Sequence, residues 1–319
     1  MRGAALLGSA VLGVGCAAIL GIDDGIPREG GVADAGLEAS QPDAGEGGAD
    51  AGVPSCDVDA AFGAPTAFAK LNTAVQDAHL RLLPNELAAV FQSNRDGGVG
   101  GVDIYTATRT TIGDTWTGIM DVTAVDTASN DSDPSISGDG LAIYLSLAGD
   151  IYSATRPTPT GTFGTPAALA TVSSAGSDFA PYVLSDGSKL YLSSTRDSDA
   201  GVASLFVASA AGDGGFSAAA LVNGSNLSIG DNRFAALTAD ELVMYFASNR
   251  GGIGTQGGFD VWVATRASRS VGFDAPRVVA EVSSASEEHA DWISADRCRL
   301  YFSSNRAGDW DLYVATKVP

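Results

Sequence analysis

Few residues in this chain can do chemistry, and their spacing is regular. His79 and His289 are its two histidines, and each lies within two residues of an acid, Asp77 and Glu288. Asp131 is followed by Asp133, Asp178 stands by itself, and Asn232 adjoins Arg233. Together they offer carboxylate and amide oxygens, two imidazoles and a guanidinium. Such a set suits a cation held through oxygen ligands, calcium above all, a basic segment, or a hydroxyl-rich ligand. Two carboxyls roughly 5–9.5 Å apart across a cleft would also serve glycoside hydrolysis. Other reactions lack their signatures. Two histidines without spaced cysteines or a helix-borne H-E-x-x-H make no zinc site. No strand–turn–helix pattern presents a serine nucleophile. The glycine-rich stretches Gly97–Gly101 and Gly251–Gly258 lack the lysine and following helix of a phosphate cradle. The sequence therefore names no catalytic residue, and no cofactor beyond calcium.

A repeat positions these residues. LVMYFASNR with DVWVATR (Leu242–Arg250, Asp260–Arg266) returns as RLYFSSNR with DLYVATK (Arg299–Arg306, Asp311–Lys317). Looser copies are AAVFQSNR with DIYTATR from Ala88, AIYLSLAGDIYSATR from Ala142, and KLYLSSTR with SLFVASA from Lys189. The anchor residues Val90, Tyr144, Tyr191, Tyr245 and Tyr301 are 54, 47, 54 and 56 residues apart. Each motif alternates apolar or aromatic with small polar residues between turn formers, the pattern of half-buried strands. About fifty residues per unit fits four short strands, one propeller blade. The fold expected is all-β, a five-bladed β-propeller, with six blades as the main alternative.

Between the strand pairs comes an aromatic and a short apolar run, as in Phe163-Gly-Thr-Pro166 and Phe273-Asp-Ala-Pro276. The chain stops before a fifth such spacer, but Phe62-Gly-Ala-Pro65 supplies it at the other end. The N-terminal strand of the domain should therefore join the last blade and close the ring, removing an unpaired edge. Cys56 and Cys298 would then meet on one edge of that blade and form a disulfide in an oxidising compartment; otherwise they are two thiols beyond bridging range.

Asp77, Asp131, Asp178, Asn232 and Glu288 each stand thirteen residues before an anchor, just ahead of the innermost strand. With His79, Asp133, Arg233 and His289 they would ring the mouth of the central channel. The same acids have a second use: capping turns or pairing with the motif arginines Arg95, Arg196, Arg250 and Arg306. The motif aspartates are Asp103, Asp150, Asp260 and Asp311. Trp292 is the one tryptophan placed near the mouth, with Trp116, Trp262 and Trp310 elsewhere, so an aromatic sugar platform is thin.

The chain begins with Arg2 and a short apolar run, Ala4–Val14, too short to span a bilayer and typical of an export signal. It ends in Gly13-Val14-Gly15-Cys16, which resembles a bacterial lipobox, with Gly13 where leucine is usual. Residues 1–15 are thus expected to be a lipoprotein signal peptide and Cys16 the lipidated residue; the alternative is an ordinary signal with an incidental cysteine. Residues 16–55 form an acidic Gly/Ala segment with too little apolar area to fold, a lipid-anchored linker. Residues 23–55 hold eight acids and one base, −7 of the chain's net −20. Such a polyanion has no footprint for nucleic acid. Membrane contact is expected only through the anchor, with Ala17 after the cysteine pointing to the outer membrane. Residues 56–319 make the propeller.

The elements [LIVM]-Y-[FL]-x-S-N-R and D-[IL]-Y-x-A-T-R, with S-x-D-G before the first strand (Ser137–Gly140, Ser185–Gly187), resemble the TolB-like, WD-type (PD40) repeats of bacterial envelope propellers. The resemblance spans roughly residues 62–317 and departs where Gly149 replaces the motif arginine and Ser204 the motif aspartate. It implies an interaction platform, and the chain is expected to be a monomeric, non-enzymatic scaffold binding an envelope protein or glycan on the periplasmic or surface side. The alternatives are a glycoside hydrolase or lyase using the mouth carboxylates, and a calcium-dependent binding module.

Overall fold

A computed structural model describes residues 56–318, apart from Asp199, Asp213 and Asn226. Residues 1–15 and 16–55, with Cys16, lie outside the described residues. Among the described residues there is no helix, and twenty strands form five antiparallel four-stranded sheets. A short strand, β1 (Thr66–Ala67), comes first. Blade 1 is β2 (Asp77–Leu82), β3 (Ala88–Ser93), β4 (Asp103–Thr108) and β5 (Thr117–Asp121). Blade 2 is β6 (Asp131–Ile136), β7 (Ala142–Leu147), β8 (Asp150–Thr155) and β9 (Ala167–Ala168). Blade 3 is β10 (Asp178–Val183), β11 (Lys189–Ser194), β12 (Ser204–Ser209) and β13 (Ala220–Leu221). Blade 4 is β14 (Asn232–Leu237), β15 (Val243–Ser248), β16 (Asp260–Thr265) and β17 (Arg277–Val278). Blade 5 is β18 (Glu288–Ile293), β19 (Arg299–Ser304) and β20 (Asp311–Thr316), with β1 as its outer strand.

The inner strands pack in a cycle, β2 on β6, β6 on β10, β10 on β14, β14 on β18 and β18 back on β2. The molecule is a closed five-bladed propeller. Closure runs as the spacer pattern requires: Thr66 pairs with Val314, Ala67 with Tyr313, and Phe62 bridges Lys317. Cys56 and Cys298, 242 residues apart, form a disulfide with Cα atoms 5.7 Å apart. The core lies between blades, where the aromatic and branched residues of the second and third strands meet their neighbours, with Phe91, Tyr191, Phe246, Tyr301 and Phe302 all under 2% exposed.

Every inner strand carries a register shift near its third residue. In four blades that residue has a left-handed backbone: His79 (φ 57°), Asp133 (53°), Ala180 (51°) and Phe234 (54°). A bulge re-aims a side chain, and here it aims them at the axis. The inner strands start on one face of the ring, here the upper face. The turns after them, with Cys298, lie on the lower face.

The S-x-D-G turns meet their expected geometry at Gly140 (φ 71°) and Gly187 (φ 69°). Blades 1, 4 and 5 place Glu86, Glu241 and Arg297 in the same left-handed position, which costs about 1–2 kcal/mol for a residue with a Cβ. Each uses its side chain to hold the next blade. Glu86 accepts two bonds from Arg299 (2.8 and 2.6 Å) and one from the Tyr301 hydroxyl (2.6 Å), joining blade 1 to blade 5. Glu241 accepts from Lys189 Nζ and the Tyr191 hydroxyl of blade 3, both at 2.7 Å, and from Arg266 Nη2 at 3.0 Å. Arg297 pairs with Asp240, joining blade 5 to blade 4.

Candidate functional site

Four members of the acid-and-amide column are not an open ring. Asp77, Asp178, Asn232 and Glu288 are wholly buried and engaged by the motif arginine of their own blade. Arg95 Nη2 donates to Asp77 Oδ1 and Arg196 Nη2 to Asp178 Oδ1, both at 2.6 Å. Arg250 reaches Asn232 Oδ1 at 2.5 Å and Arg306 reaches Glu288 Oε1 at 3.1 Å. The other carboxylate oxygen takes a turn amide, as Thr73 N does to Asp77 Oδ2 at 2.6 Å. The reason is register. The column residue opens the inner strand directly opposite a serine that ends the second (Asp77↔Ser93, Asp178↔Ser194), and the arginine two residues on folds its donor fork back over both. The motif arginines therefore serve the column acids rather than the motif aspartates.

The fifth member, Asp131, differs. Its blade has Gly149 where the arginine belongs, and β7 and β8 are joined by the two residues Ala148 and Gly149, both left-handed (φ 54° and 88°). This tight hairpin accounts for the short 47-residue interval. Asp131 Oδ2 accepts Thr127 N at 2.6 Å, while Oδ1 is buried without a hydrogen bond. Two further carboxylates converge there. Asp103 opens β4, and Asp126 lies in the connection from blade 1 to blade 2. Asp103, Asp126 and Asp131 can each offer an oxygen, and those atoms lie within 4.8 Å of one another. Burial, then contact with the Asp121 carboxyl, pushes Asp126 up to about 8; burial also raises Asp131. The missing arginine was legible in the sequence, but Asp121 and Asp126 belong to no repeated motif and pass unnoticed there.

The channel holds the other site residues. His79 Nδ1 lies 3.7 Å from Asp133 Oδ1 and 3.9 Å from Asp291 Oδ1, and Arg81 Nη1 lies 3.6 Å from Asp291. His289 stacks on Phe234 (4.1 Å between centroids), and Trp310 lies 4.4 Å from His289. Arg233 sits over Phe179 and Phe259 and bonds Asp231 through Nε at 2.8 Å. Burial, reinforced by Arg81, lowers His79 to about 3, and burial lowers His289 too. Burial lifts Asp291 to about 7 and also raises Asp133. Enclosure thus favours the uncharged form of each of these four groups.

Arg81, Phe234 and Asp291 escape a reading of the sequence because a bulge, invisible without the pairing register, decides which inner-strand residues face the axis. The tryptophans also exchange roles. Trp292 is the fifth residue of β18 and so reaches the lower face, where it lines a cavity of about 50 Å³ with Arg81 and Tyr182. Trp310 lies in the turn before β20 and therefore caps the upper end. That lower cavity holds one or two waters by volume and is too small for a sugar ring. On the upper face, the short hairpin of blade 2 leaves a depression of about 390 Å³ lined by Ser129, Asn130, Ser132, Ser146, Ser177 and Phe179.

No family profile matches the chain, and no curated protein matches it. Solved structures do. TolB from Acinetobacter baumannii aligns at 14% identity over 78% of this chain with a TM-score of 0.44, and the chain spans 56% of that protein's length. A thermostable family-43 glycoside hydrolase aligns at 11% identity over 78% of this chain and 92% of its own, with a TM-score of 0.53. A family-43 β-xylosidase/α-arabinofuranosidase from a compost microbial metagenome, solved with xylotriose, aligns at 13% over 78% and 94%, with a TM-score of 0.52. At these identities the likeness to the family-43 enzymes is one of fold, and a propeller fold hosts many activities.

Proposed function

We propose that this chain is a non-enzymatic binding propeller, exported and anchored in the outer membrane through Cys16, with residues 16–55 as its tether. It acts as a monomeric scaffold for an envelope protein or glycan. The reading rests on one observation: the carboxylates that hydrolysis would need are consumed inside the protein. Asp77, Asp178 and Glu288 pair with half-buried arginines, Asp131 is itself wholly buried, and Asp133 and Asp291 lie against one enclosed imidazole. A general acid and base must reach a substrate across an open cleft.

The binding face is the upper one, centred on the depression between blades 2 and 3. Hydroxyl and amide side chains around the edge of Phe179 offer hydrogen bonds and one apolar platform, and the volume lies within the range of small-ligand sites. The test uses the full chain in its cell envelope with a photo-cross-linking residue at Ser132 or Ser177, and at Asp186 on the lower face as the control. A specific adduct from the upper positions alone is expected, with loss of envelope attachment in Cys16→Ser. Adducts from Asp186 alone would move the face. Release of sugar from envelope glycans or aryl glycosides by the purified chain would make it an enzyme.

A further inference from the structure

The five blade junctions are five versions of one arrangement, which lets the odd one be recognised from within the molecule. At each junction three positions meet: the first residue of a third strand, a residue in the connection, and the first residue of the next inner strand. From blade 5 to blade 1 they are Asp311, Asn72 and Asp77; from blade 2 to blade 3, Asp150, Ser173 and Asp178. From blade 3 to blade 4 they are Ser204, Leu227 and Asn232; from blade 4 to blade 5, Asp260, Ser283 and Glu288. These four junctions hold at most two carboxylates, and each has an arginine on the column residue. From blade 1 to blade 2 they are Asp103, Asp126 and Asp131, three carboxylates with Gly149 in place of the arginine.

The local chain reinforces the contrast. Asp131 is wholly buried, and its Oδ1, the oxygen position that meets arginine in blades 1 and 3, has no hydrogen bond. Asp126 Oδ2 and Asp121 Oδ1 are also buried, and no donor but the other carboxyl reaches either of them. The second oxygens are fixed: Asp126 Oδ1 accepts Ile104 N at 3.0 Å and Asp121 Oδ2 the Thr123 hydroxyl at 2.5 Å, while Asp103 Oδ1 accepts Gly100 N at 2.7 Å. The glycine-rich loop is wrapped so closely here that a Cβ on Gly98 would stand 1.9 Å from Asp103 Oδ2, and one on Gly100 2.1 Å from Ser129 O. Unpaired buried carboxylates are costly, yet the loop is shaped to bring them together.

We propose that Asp103, Asp126 and Asp131 hold a divalent cation, Ca²⁺ by its chemistry, which takes the place of the absent arginine. Oxygens within 4.8 Å of one another can all reach an ion whose ligands stand at about 2.3–2.6 Å, and a site with no imposed octahedron favours Ca²⁺ over Mg²⁺, which needs near-ideal geometry at about 2.0–2.1 Å. All-oxygen carboxylate ligation selects hard cations over zinc or copper. The ion ties blade 1 to blade 2 as Glu86 ties blade 1 to blade 5. It lies off the channel and beside the proposed binding depression, but does not depend on that reading.

The test uses the full chain, Ca²⁺ alone, and Mg²⁺ and chelator arms. Calorimetric titration is expected to give one Ca²⁺ per chain, and the thermal midpoint to be higher in Ca²⁺ than in chelator, with a smaller rise in Mg²⁺. Asp126→Asn and Asp131→Asn are built to fold, because Asn72 and Asn232 already occupy the equivalent positions at other junctions. Each should weaken Ca²⁺ binding ten-fold or more. The double variant should lose the Ca²⁺ shift and melt above the wild-type chain when both are in chelator, since the repulsion has been removed. No binding at millimolar Ca²⁺ overturns the proposal, and so does undiminished one-to-one binding by the double variant.

Discussion

At the scale of single residues the fold turns on buried charge and how it is met. His79 and His289 are the clearest case. Both are enclosed in the channel, and desolvation disfavours the imidazolium. His79 is lowered from 6.5 to about 3, so in the folded protein its ring should stay neutral far into acid. In the unfolded chain the same ring gains a proton below about 6.5. Stability that His79 leaves intact near neutrality is therefore lost as pH falls from there toward 3, because the unfolded state binds a proton that the folded state refuses. Carbon shifts of the two imidazoles are expected to stay flat from pH 8 to 5; a midpoint near 6.5 in the native protein would place the rings in water. Glu241 gives a second measurement. It is fully buried, sits in a left-handed turn, and serves Lys189, Tyr191 and Arg266 together. Glu241→Ala leaves three cations, Lys189, Arg266 and Arg269, without their counter-charge and is expected to cost about 3–5 kcal/mol in chemical denaturation. Glu241→Gly relieves the backbone but loses the same pairs, so recovery of wild-type stability by Gly would show the pairs to be idle. The sequence hints at Glu241, since Thr238-Ala239-Asp240-Glu241 follows S-x-D-G except for its glycine, whereas Glu86 follows Leu83-Pro84-Asn85 and carries no such mark. Their partners come from the neighbouring blade and cannot be read from one repeat.

At the scale of elements, closure is what the sequence disclosed best. Phe-x-x-Pro stands in two of the four complete spacers, at Phe163 and Phe273, and its displaced copy at Phe62 marks β1 as the outer strand of blade 5. The disulfide followed from the same topology. Registers were another matter. The inner strands lie outside the recurrent motifs, and the bulge that turns His79, Asp133 and Phe234 to the axis depends on pairing with the second strand. That is why the column acids looked like a channel mouth and proved to face their own blade. Two interventions separate the contributions to closure. Reducing Cys56–Cys298 removes a cross-link over 242 residues and is expected to cost about 2–5 kcal/mol, seen as a lower thermal midpoint with native circular dichroism retained. Deleting residues 56–71 removes β1 itself and leaves the β20 edge and the apolar flank under Phe62 and Leu71 uncovered. An exposed strand edge invites pairing between chains, so this variant is expected to associate. A soluble monomer with an unchanged melt would mean that the ring does not need its clasp.

For the whole molecule, closure has a thermodynamic consequence. In an open stack of repeats the terminal units lack a neighbour on one side and can fray. In this ring every inner strand packs between two others, and ion clusters cross the blade boundaries from 1 to 5, 3 to 4 and 4 to 5. No blade is terminal, so none should melt ahead of the rest. The tryptophans can report this, because Trp116 sits after the third strand of blade 1, Trp262 in blade 4, and Trp292 and Trp310 in blade 5. Tryptophan emission and far-ultraviolet circular dichroism are expected to trace one coincident transition for the full chain, the usual criterion of two-state unfolding. The junction between blades 1 and 2 is the place where this cooperativity should be weakest, since three carboxylates meet there without an arginine. Keeping only Trp116, with the other three changed to phenylalanine, isolates blade 1. In chelator its emission should lead the circular dichroism transition by several degrees, and in Ca²⁺ the two should coincide. Coincidence in both conditions would show the junction to be as strong as the others without an ion. A lead that persists in Ca²⁺ would put the weak point of the ring in blade 1 for some other cause.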